Sequence, residues 1–290
     1  MIVLRWSYTL FGALFLLAGC FAPPPEKVRP ALWEITDASG ERGWLFGTIH
    51  ALPQPVDWRS APVDAALNNA DVLALEIANG NDAKGLARTF AELAKGNDLP
   101  PVAARLPVSL RQSWNAAARR HGIDPESLRS METWAVALTL SRHAQADSDS
   151  AFGLEAALTS AARGKRIVEL EGAASQLAIF DRLPEKEQLD LLVAVIAETD
   201  DRQTGGTLKE AWATGDMAAI ERKTLSGMLA DPELRAALLI DRNREWSGKI
   251  ADLLRTGSRP FVAVGAAHMA GPDGLPALLA RQGFRIRRIQ

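Results

Sequence analysis

Cysteine is almost missing from this sequence: it occurs once in 290 residues, at position 20. A single thiol cannot close a disulfide within the chain, so a disulfide-stapled fold is excluded. The stability of the folded part must therefore come from packing.

An excess of charge of either sign is missing too. The chain has 33 Lys and Arg against 35 Asp and Glu, a formal net charge of -2. Nothing in this balance points to nucleic acid or to an anionic lipid surface, and we expect no nucleic-acid partner. With 47% hydrophobic and 23% charged residues, the composition is that of a globular protein with a real core.

The apolar run at the N-terminus is short. Ser7–Leu17 is mostly apolar, well below the roughly 20 residues that span a bilayer. It follows Met1–Arg5, which carries one positive charge, and leads into Leu17-Ala18-Gly19-Cys20. This pattern is typical of a lipoprotein signal peptide comprising residues 1–19, with Cys20 as the lipidation site. A short membrane anchor with an unmodified cysteine is the alternative.

Lipidation at Cys20 would tether the chain to a membrane and leave no thiol for disulfide or nucleophilic chemistry. Three acyl chains hold firmly, whereas one holds only marginally. Phe21 rather than Asp follows the cysteine, which in a Gram-negative host resembles a signal for the outer membrane and the periplasmic side. Residues 20–30 include four prolines and predict a tether, and residues 31–290 predict the folded domain.

The domain begins with a predicted hairpin, Leu32–Ile35 and Gly43–Phe46, joined by a turn-forming segment. Three further apolar runs predict buried strands: Val72–Leu75, Ile167–Leu170 and Phe261–Val264. Between them the sequence predicts helices at 85–95, 109–121, 131–146, 154–163, 185–198, 208–213, 217–228 and 232–254. We expect the C-terminal segment to complete the sheet. We therefore expect an α/β fold with a central mixed sheet, flanking helices and a helical insertion.

Two strands lead into the same motif. Gly-x-x-His occurs as Gly47-Thr48-Ile49-His50 and as Gly265-Ala266-Ala267-His268, and the chain has only four histidines. Glycine allows a sharp turn and a close approach of a ligand, while the histidine is presented at the carboxyl end of the strand. Open α/β sheets bind their ligands at that edge.

Two other strands end in acid, Val72–Leu75 in Glu76 and Ile167–Leu170 in Glu171. One sheet edge would thus collect two imidazoles and two carboxylates, a plausible divalent-metal site with an open position. The alternative is structural: each histidine bonds a backbone carbonyl in a turn, and each glutamate pairs with an arginine. The residues alone leave both interpretations open.

A family resemblance favours the metal site over the structural alternative. Leu45–Pro53 and Gly265–Leu275 resemble the opening and closing signatures of the TraB/GumN family, and the intermediate segments Leu73–Glu76, Val168–Gly172 and Asp241–Trp246 agree with it. The motifs are specific in combination and weak one at a time. The resemblance implies a fold distantly similar to erythromycin esterase-like and haem-binding ChaN-like proteins.

The family includes Tiki-type metalloproteases, whose activity is attributed to two Gly-x-x-His motifs and a glutamate. The resemblance thus implies a metal-dependent hydrolase of peptide or ester bonds, in which His50, His268 and Glu76 hold a divalent ion such as Mn, Co or Zn. Glu76 would ligate the ion or act as general base. A non-catalytic envelope protein that binds a small ligand, a peptide or haem is the alternative.

Further residues match family positions: Glu171 as a second candidate base, and Arg242 and Asn243 as binding residues. One departure is Ala267, where many relatives carry glycine.

Overall fold

The computed structural model describes residues 25–49, 52, 55–78, 83–144, 154–200 and 204–290. The predicted signal peptide, Cys20 and His50 lie outside these residues. Among the described residues, no helix combines the length and the apolar character that a membrane crossing requires.

A six-stranded mixed sheet forms the centre of the molecule. Its strands run in the order β6-β5-β7-β3-β2-β8. Strands β6, β5, β7 and β3 run parallel to one another, whereas β2 is antiparallel to both β3 and β8. The strands of this sheet are β2 (Leu32–Thr36), β3 (Arg42–Thr48), β5 (Val72–Leu75), β6 (Arg166–Glu169), β7 (Pro260–Gly265) and β8 (Arg285–Arg288). The predicted α/β fold with a mixed central sheet is confirmed.

The hairpin of β2 and β3 forms because the intervening residues supply turn chemistry. The carboxylate of Asp37 accepts hydrogen bonds from the backbone N–H groups of Ser39 and Glu41. Gly40 has a φ of +94°, a conformation that suits glycine. Because side chains alternate along a strand, Trp44 and Phe46 face one side of the sheet and Leu45 the other.

Helices cover both faces of this sheet. One face packs against α1, α6, α9 and α10, and the other against α12 and α13. A third apolar cluster lies among α2 to α5, α7, α8 and α11, the predicted helical insertion. The helices are α1 (Ala61–Asn69), α2 (Ala83–Leu93), α3 (Val102–Arg105), α4 (Arg111–Arg120), α5 (Thr133–Ala144), α6 (Leu154–Ala161), α7 (Ala173–Asp181), α8 (Glu185–Asp200), α9 (Thr204–Thr214), α10 (Met217–Lys223), α11 (Pro232–Arg235), α12 (Asp241–Arg255) and α13 (Leu275–Arg281).

The strand β6 departs from the prediction of a buried strand. It lies at the edge of the sheet, with β5 as its neighbour, and Ile167 is 41% exposed. An edge strand can present an apolar side chain to solvent, and sequence periodicity does not distinguish it from a central strand. The expectation of burial was therefore wrong for this strand.

Part of the predicted tether packs against the domain. Glu26–Lys27 forms β1, a short parallel pair with β4 (Val56–Asp57). Val28 is buried, and its backbone N–H donates to the carbonyl of Asp57. The ordered structure thus begins before Ala31, the boundary expected from composition.

A π segment interrupts the long helix that follows Asp231. The predicted single helix over 232–254 consists of α11, a π-helical stretch at Ala236–Ile240, and α12. The carboxylate of Asp231 caps it by accepting from the N–H groups of Glu233 and Leu234. This helix carries Arg242 and Asn243 to the sheet.

Candidate active site

Three parallel strands bring polar residues to one edge of the sheet. Glu76 follows β5, Glu171 follows β6, and Gly265 ends β7. The backbone N–H groups of Glu171 and Gly172 donate to the carbonyl oxygen of Glu76, over 3.2 and 3.0 Å. The N–H of Gly265 donates to Oε1 of Glu76 over 2.7 Å. Hydrogen bonds to Glu76 thus join the carboxyl ends of β5, β6 and β7.

Arg242 joins the two carboxylates. Its Nη2 donates to Glu76 Oε2 over 2.9 Å and to Glu171 Oε2 over 2.8 Å, and its Nε donates to Glu171 Oε1 over 3.1 Å. The side chains of Arg242, Glu76 and Glu171 are only 11%, 9% and 6% exposed. Buried charges are costly unless paired, and the arginine supplies that pairing. The structure thus matches one part of the structural alternative, the pairing of the glutamates with an arginine, and a single arginine serves both.

His268 is held by Asn243. Its Nδ1 lies 2.7 Å from Oδ1 of Asn243, while Nδ2 of Asn243 donates to the carbonyl of Asp273 over 2.8 Å. Because that amide donates through Nδ2, its Oδ1 accepts, and we assign the proton of the neutral imidazole to Nδ1. Nε2 then carries the lone pair and faces Nη1 of Arg242 at 3.4 Å.

Trp246 forms the apolar wall of the site. It is fully buried, its ring centroid lies 4.5 Å from that of His268, and the guanidinium of Arg242 lies 4.5 Å above its ring. A cation over an indole face is electrostatically favourable. Arg242 and Asn243 were predicted as binding residues, whereas Trp246 in the same segment was interpreted only as a core or groove-lining residue. Trp246 lies four residues after Arg242 and three after Asn243, a helical spacing that places all three on one face and could have predicted this contact.

The π segment aims Arg242. Nη1 of Arg242 donates to the carbonyl of Leu238, four residues earlier and inside the π stretch, over 3.1 Å. A single π turn is a recurrent feature of functional sites because it shifts the facing of the residues that follow. Here those residues are Arg242 and Asn243.

Burial raises the pKa of the Glu171 carboxyl above its ordinary value. Its two hydrogen bonds and ion pair with Arg242 oppose this shift, while the negative charges of Glu76 and Glu245 add to it. A carboxyl group whose pKa is raised by burial and by neighbouring negative charges is a common component of acid-base sites.

The described start of the first Gly-x-x-His motif, at Gly47 and Thr48, lies beside the second motif. Thr48 is in register with Gly265 on the neighbouring strand. A Cβ on Gly47 would approach the Cα and Cβ of Ala266 to 3.2 Å, closer than ordinary contact, so glycine permits the two motifs to touch. Trp212 Nε1 also donates to the carbonyl of Gly47 over 2.9 Å.

The described donor atoms of His268 and Glu76 can be compared with the ligands that divalent ions prefer. An unprotonated Nε2 on His268 and a carboxylate on Glu76 are suitable ligands for Mn, Co or Zn, and the bond from Asn243 to Nδ1 is the support that a ligating histidine usually has. The guanidinium of Arg242 supplies the positive charge beside both groups in this structure. The donor types therefore fit an ion, and an ion bound there would have to share this space with Arg242.

The described residues contain one group of acidic side chains close enough to hold an ion, and it lies elsewhere. Glu187, Asp231 and Glu233 form it, in the helical part of the molecule.

At the candidate active site the structure brings together five predicted residues, whose predicted roles stay predictions: Glu76, Glu171, Arg242, Asn243 and His268.

The mixed sheet, the helical insertion and the polar residues at the carboxyl edge of the sheet place this chain among the α/β proteins that carry a site at the ends of their strands. The sequence model of the TraB/PrgY/gumN family matches residues 31–288, and the chain belongs to this family.

Two relatives share most of the chain. The uncharacterized proteins YbaP of Shigella flexneri and of Escherichia coli strain K12 are each 26% identical over 269 residues, covering 86% of this chain and 92% of the relative. No solved structure gives a significant match.

Proposed function

We propose that this chain is a metal-dependent hydrolase of the cell envelope that cleaves peptide or ester bonds at the carboxyl edge of its sheet. One observation supports it most: His268, with its Nδ1 held by Asn243, lies beside Arg242 and two buried carboxylates. Such a group of acid, base and cation offers a proton acceptor, a proton donor and an electrophile within one site.

The residues have distinct roles in this proposal. The lone pair on Nε2 of His268 accepts a proton or binds an ion. The guanidinium of Arg242 is positioned to stabilise negative charge that develops on a substrate oxygen. Glu171, whose pKa is raised by burial, holds a proton more readily than an exposed carboxylate and exchanges it with the reacting groups.

The metal would be held by His50, His268 and Glu76. As the family resemblance implies, a divalent Mn, Co or Zn ion would polarise a carbonyl or lower the pKa of a bound water. Asn243 would keep His268 in the tautomer that a ligand needs, and Trp246 would exclude water from the other side of the imidazole.

The decisive experiment measures hydrolysis of a peptide library and an ester panel by the full chain in detergent. Turnover should appear with added divalent ions and disappear with chelator. His268→Ala should lower it by at least about 100-fold, since proton transfer typically contributes 10²–10⁴-fold. His143→Ala, on α5 outside the site, is the matched control and should keep the rate of the parent.

Turnover that survives chelation would remove the metal from the proposal. Turnover that also survives in the double variant His50→Ala, His268→Ala would remove the site. A chain without turnover that retains a tightly bound small molecule, peptide or haem would instead support the binding-protein alternative.

The envelope location is a separate part of the proposal, and the sequence around Cys20 supports it. Metabolic labelling with a fatty acid should mark the parent chain, and Cys20→Ser should abolish the label and release the protein from membranes. An unlabelled parent whose membrane association does not change in the variant would refute lipid anchoring.

A further inference from the structure

A second group of ionisable residues lies apart from the candidate active site. Glu187 is in the first turn of α8, Asp231 precedes α11, and Glu233 is in the first turn of α11. One carboxylate oxygen from each lies within 4.8 Å of the others. Three negative charges at this separation repel one another unless a proton or a cation compensates them.

The burial of Glu187 is a second, independent observation on this group. The residue is 6% exposed, and its Oε2 is buried with no hydrogen-bond partner among the residues that the structure describes. Buried polar atoms in native proteins are nearly always satisfied, and an exception calls for an explanation such as an ion.

Among the described residues, the neighbouring donors leave Oε2 of Glu187 without a partner. Lys186 donates to Oε1 of Glu187 over 3.0 Å, but its ammonium is shared with Asp190 and is largely exposed. The backbone N–H groups at the start of α11 are directed to Oδ1 of Asp231. Acidic residues are common in the first turn of a helix such as α8, but that position gives Oε2 of Glu187 no donor.

We propose that Glu187, Asp231 and Glu233 bind a hard divalent cation of the Ca²⁺ type. All three donors are carboxylate oxygens, which Ca²⁺ prefers, and none is a nitrogen or sulfur ligand typical of structural zinc. Asp231 is half-buried and Glu233 exposed, so water completes the coordination shell from the solvent side. The buried Oε2 of Glu187 gains its missing partner from the ion.

The cation would connect two parts of the fold. Glu187 lies in the first turn of α8, whereas Asp231 and Glu233 lie at the start of the continuous helix that leads through the π segment to Arg242 and Asn243. An ion shared between these starting points fixes the second helix against the first. Its binding should therefore raise the stability of the folded chain according to its occupancy.

The test titrates the full chain, purified in detergent and freed of metal with a chelator, with CaCl₂ in a calorimeter. We expect one Ca²⁺ per chain with a Kd on the order of 10⁻⁴ to 10⁻³ M, the range of solvent-exposed calcium modules. Glu187→Gln and Glu233→Gln should each weaken binding at least about tenfold. Thermal unfolding should shift upward with Ca²⁺ in the parent and much less in these variants.

Two controls separate this site from others. Glu126→Gln makes the same change of charge at an exposed side chain on a 3₁₀ turn and should bind as the parent does. His268→Ala should leave this Ca²⁺ binding unchanged, because the histidine belongs to the candidate active site. Glu233→Gln alters an exposed residue and decides the question even if Glu187→Gln does not fold.

Absence of Ca²⁺ binding up to about 10 mM, ten times the upper end of the expected range, would overturn the proposal. So would equal affinity in the parent, Glu187→Gln and Glu233→Gln. In either case the three carboxylates are a structural cluster and not a cation site.

Discussion

Asn243 determines which nitrogen of His268 carries the proton. The amide oxygen of Asn243 accepts from the imidazole, and its amide nitrogen donates to the backbone carbonyl of Asp273. Both hydrogen bonds form only in this orientation of the amide. A fully buried asparagine with both ends bonded is a rigid support for a functional imidazole.

Asn243→Ala should therefore lower the free energy of unfolding by about 1–3 kcal/mol, because it leaves two buried polar groups without partners. Asn69→Ala is the matched control: Asn69 is exposed and bonds only the carbonyl of Ala65, so its loss should cost about 0.5 kcal/mol or less. Urea denaturation measures both. Equal losses would show that the bond to His268 contributes nothing.

Glu171 should make stability depend on pH. Its folded-state pKa is raised, so between the unfolded-state pKa and this higher value the folded protein binds more protons. The contribution of Glu171 is therefore greatest in acid and is lost as pH rises through the folded-state pKa.

Glu171→Gln removes this titration. The stability of the parent relative to the variant should fall as pH rises above about 4.5, the ordinary value for a glutamate, as measured by urea midpoints from acid to neutral pH. Glu126→Gln, at an exposed carboxylate, supplies the control curve. Parallel curves for the parent and Glu171→Gln would contradict the raised pKa.

The sequence identified five residues of the site because each has a local signal: Glu76, Glu171 and His268 follow apolar strands, and Arg242 and Asn243 match a family segment. It did not show that Arg242 lies between the two glutamates. That contact joins residues 166 and 71 positions apart, and only the packing of the long helix on the sheet creates it.

At the scale of elements, two paired strands contrast in burial. Leu73 of β5 and Ile167 of β6 are partners in register, yet Leu73 is completely buried and Ile167 is exposed at the sheet edge. Both strands read as apolar runs, so their sequences alone predict the same environment for each.

Leu73→Ala should cost about 2–5 kcal/mol, the range for a large-to-small change in a core. Ile167→Ala should cost about 1 kcal/mol or less, because the side chain already contacts solvent. Chemical denaturation measures the free energy of unfolding of the two variants, whose substituted residues are paired in register on neighbouring strands. Similar costs would mean that another surface covers β6 in solution.

Most helices in the described part of the chain were predicted from the sequence, but four short ones were not. The sequence indicated the stretches that became α2, α4, α5, α6, α8, α9, α10 and α12, whereas α1, α3, α7 and α13, of four to nine residues, were not recognised. A helix of one or two turns shows little of the 3.6-residue period. α1 does carry a readable start, since Ser60 caps it and Pro62 lies in its first turn.

At the scale of the whole molecule, residues distant in sequence close the sheet. β8 pairs with β2, and the side chain of Gln290 accepts from Ser60 and donates to the carbonyl of Pro30. The expectation that the C-terminal segment completes the sheet is confirmed. The position of β7 between β3 and β5 was not predictable, because about 190 residues separate β5 from β7 and local patterns do not encode such pairing.

Removal of residues 285–290 should abolish cooperative unfolding or lower its midpoint strongly. It exposes the backbone edge of β2 and removes the bonds of Gln290. Gln290→Ala, which keeps the strand, should lose only the side-chain bonds, about 1–3 kcal/mol. Circular dichroism during urea titration distinguishes the two. A truncated chain with the midpoint of the parent would show that β8 is dispensable.

The π segment at Ala236–Ile240 also matters for comparing relatives of different length. A π turn accommodates one residue more than a regular α-turn, and each residue of an α-helix turns its side chain by about 100°. A relative with a one-residue gap here would form a smooth α-helix and keep its arginine facing the two glutamates, because the gap removes the extra residue of the π turn. A relative of the same length without the π turn would instead carry its arginine on another face, so an alignment gap at this position is compatible with an intact site.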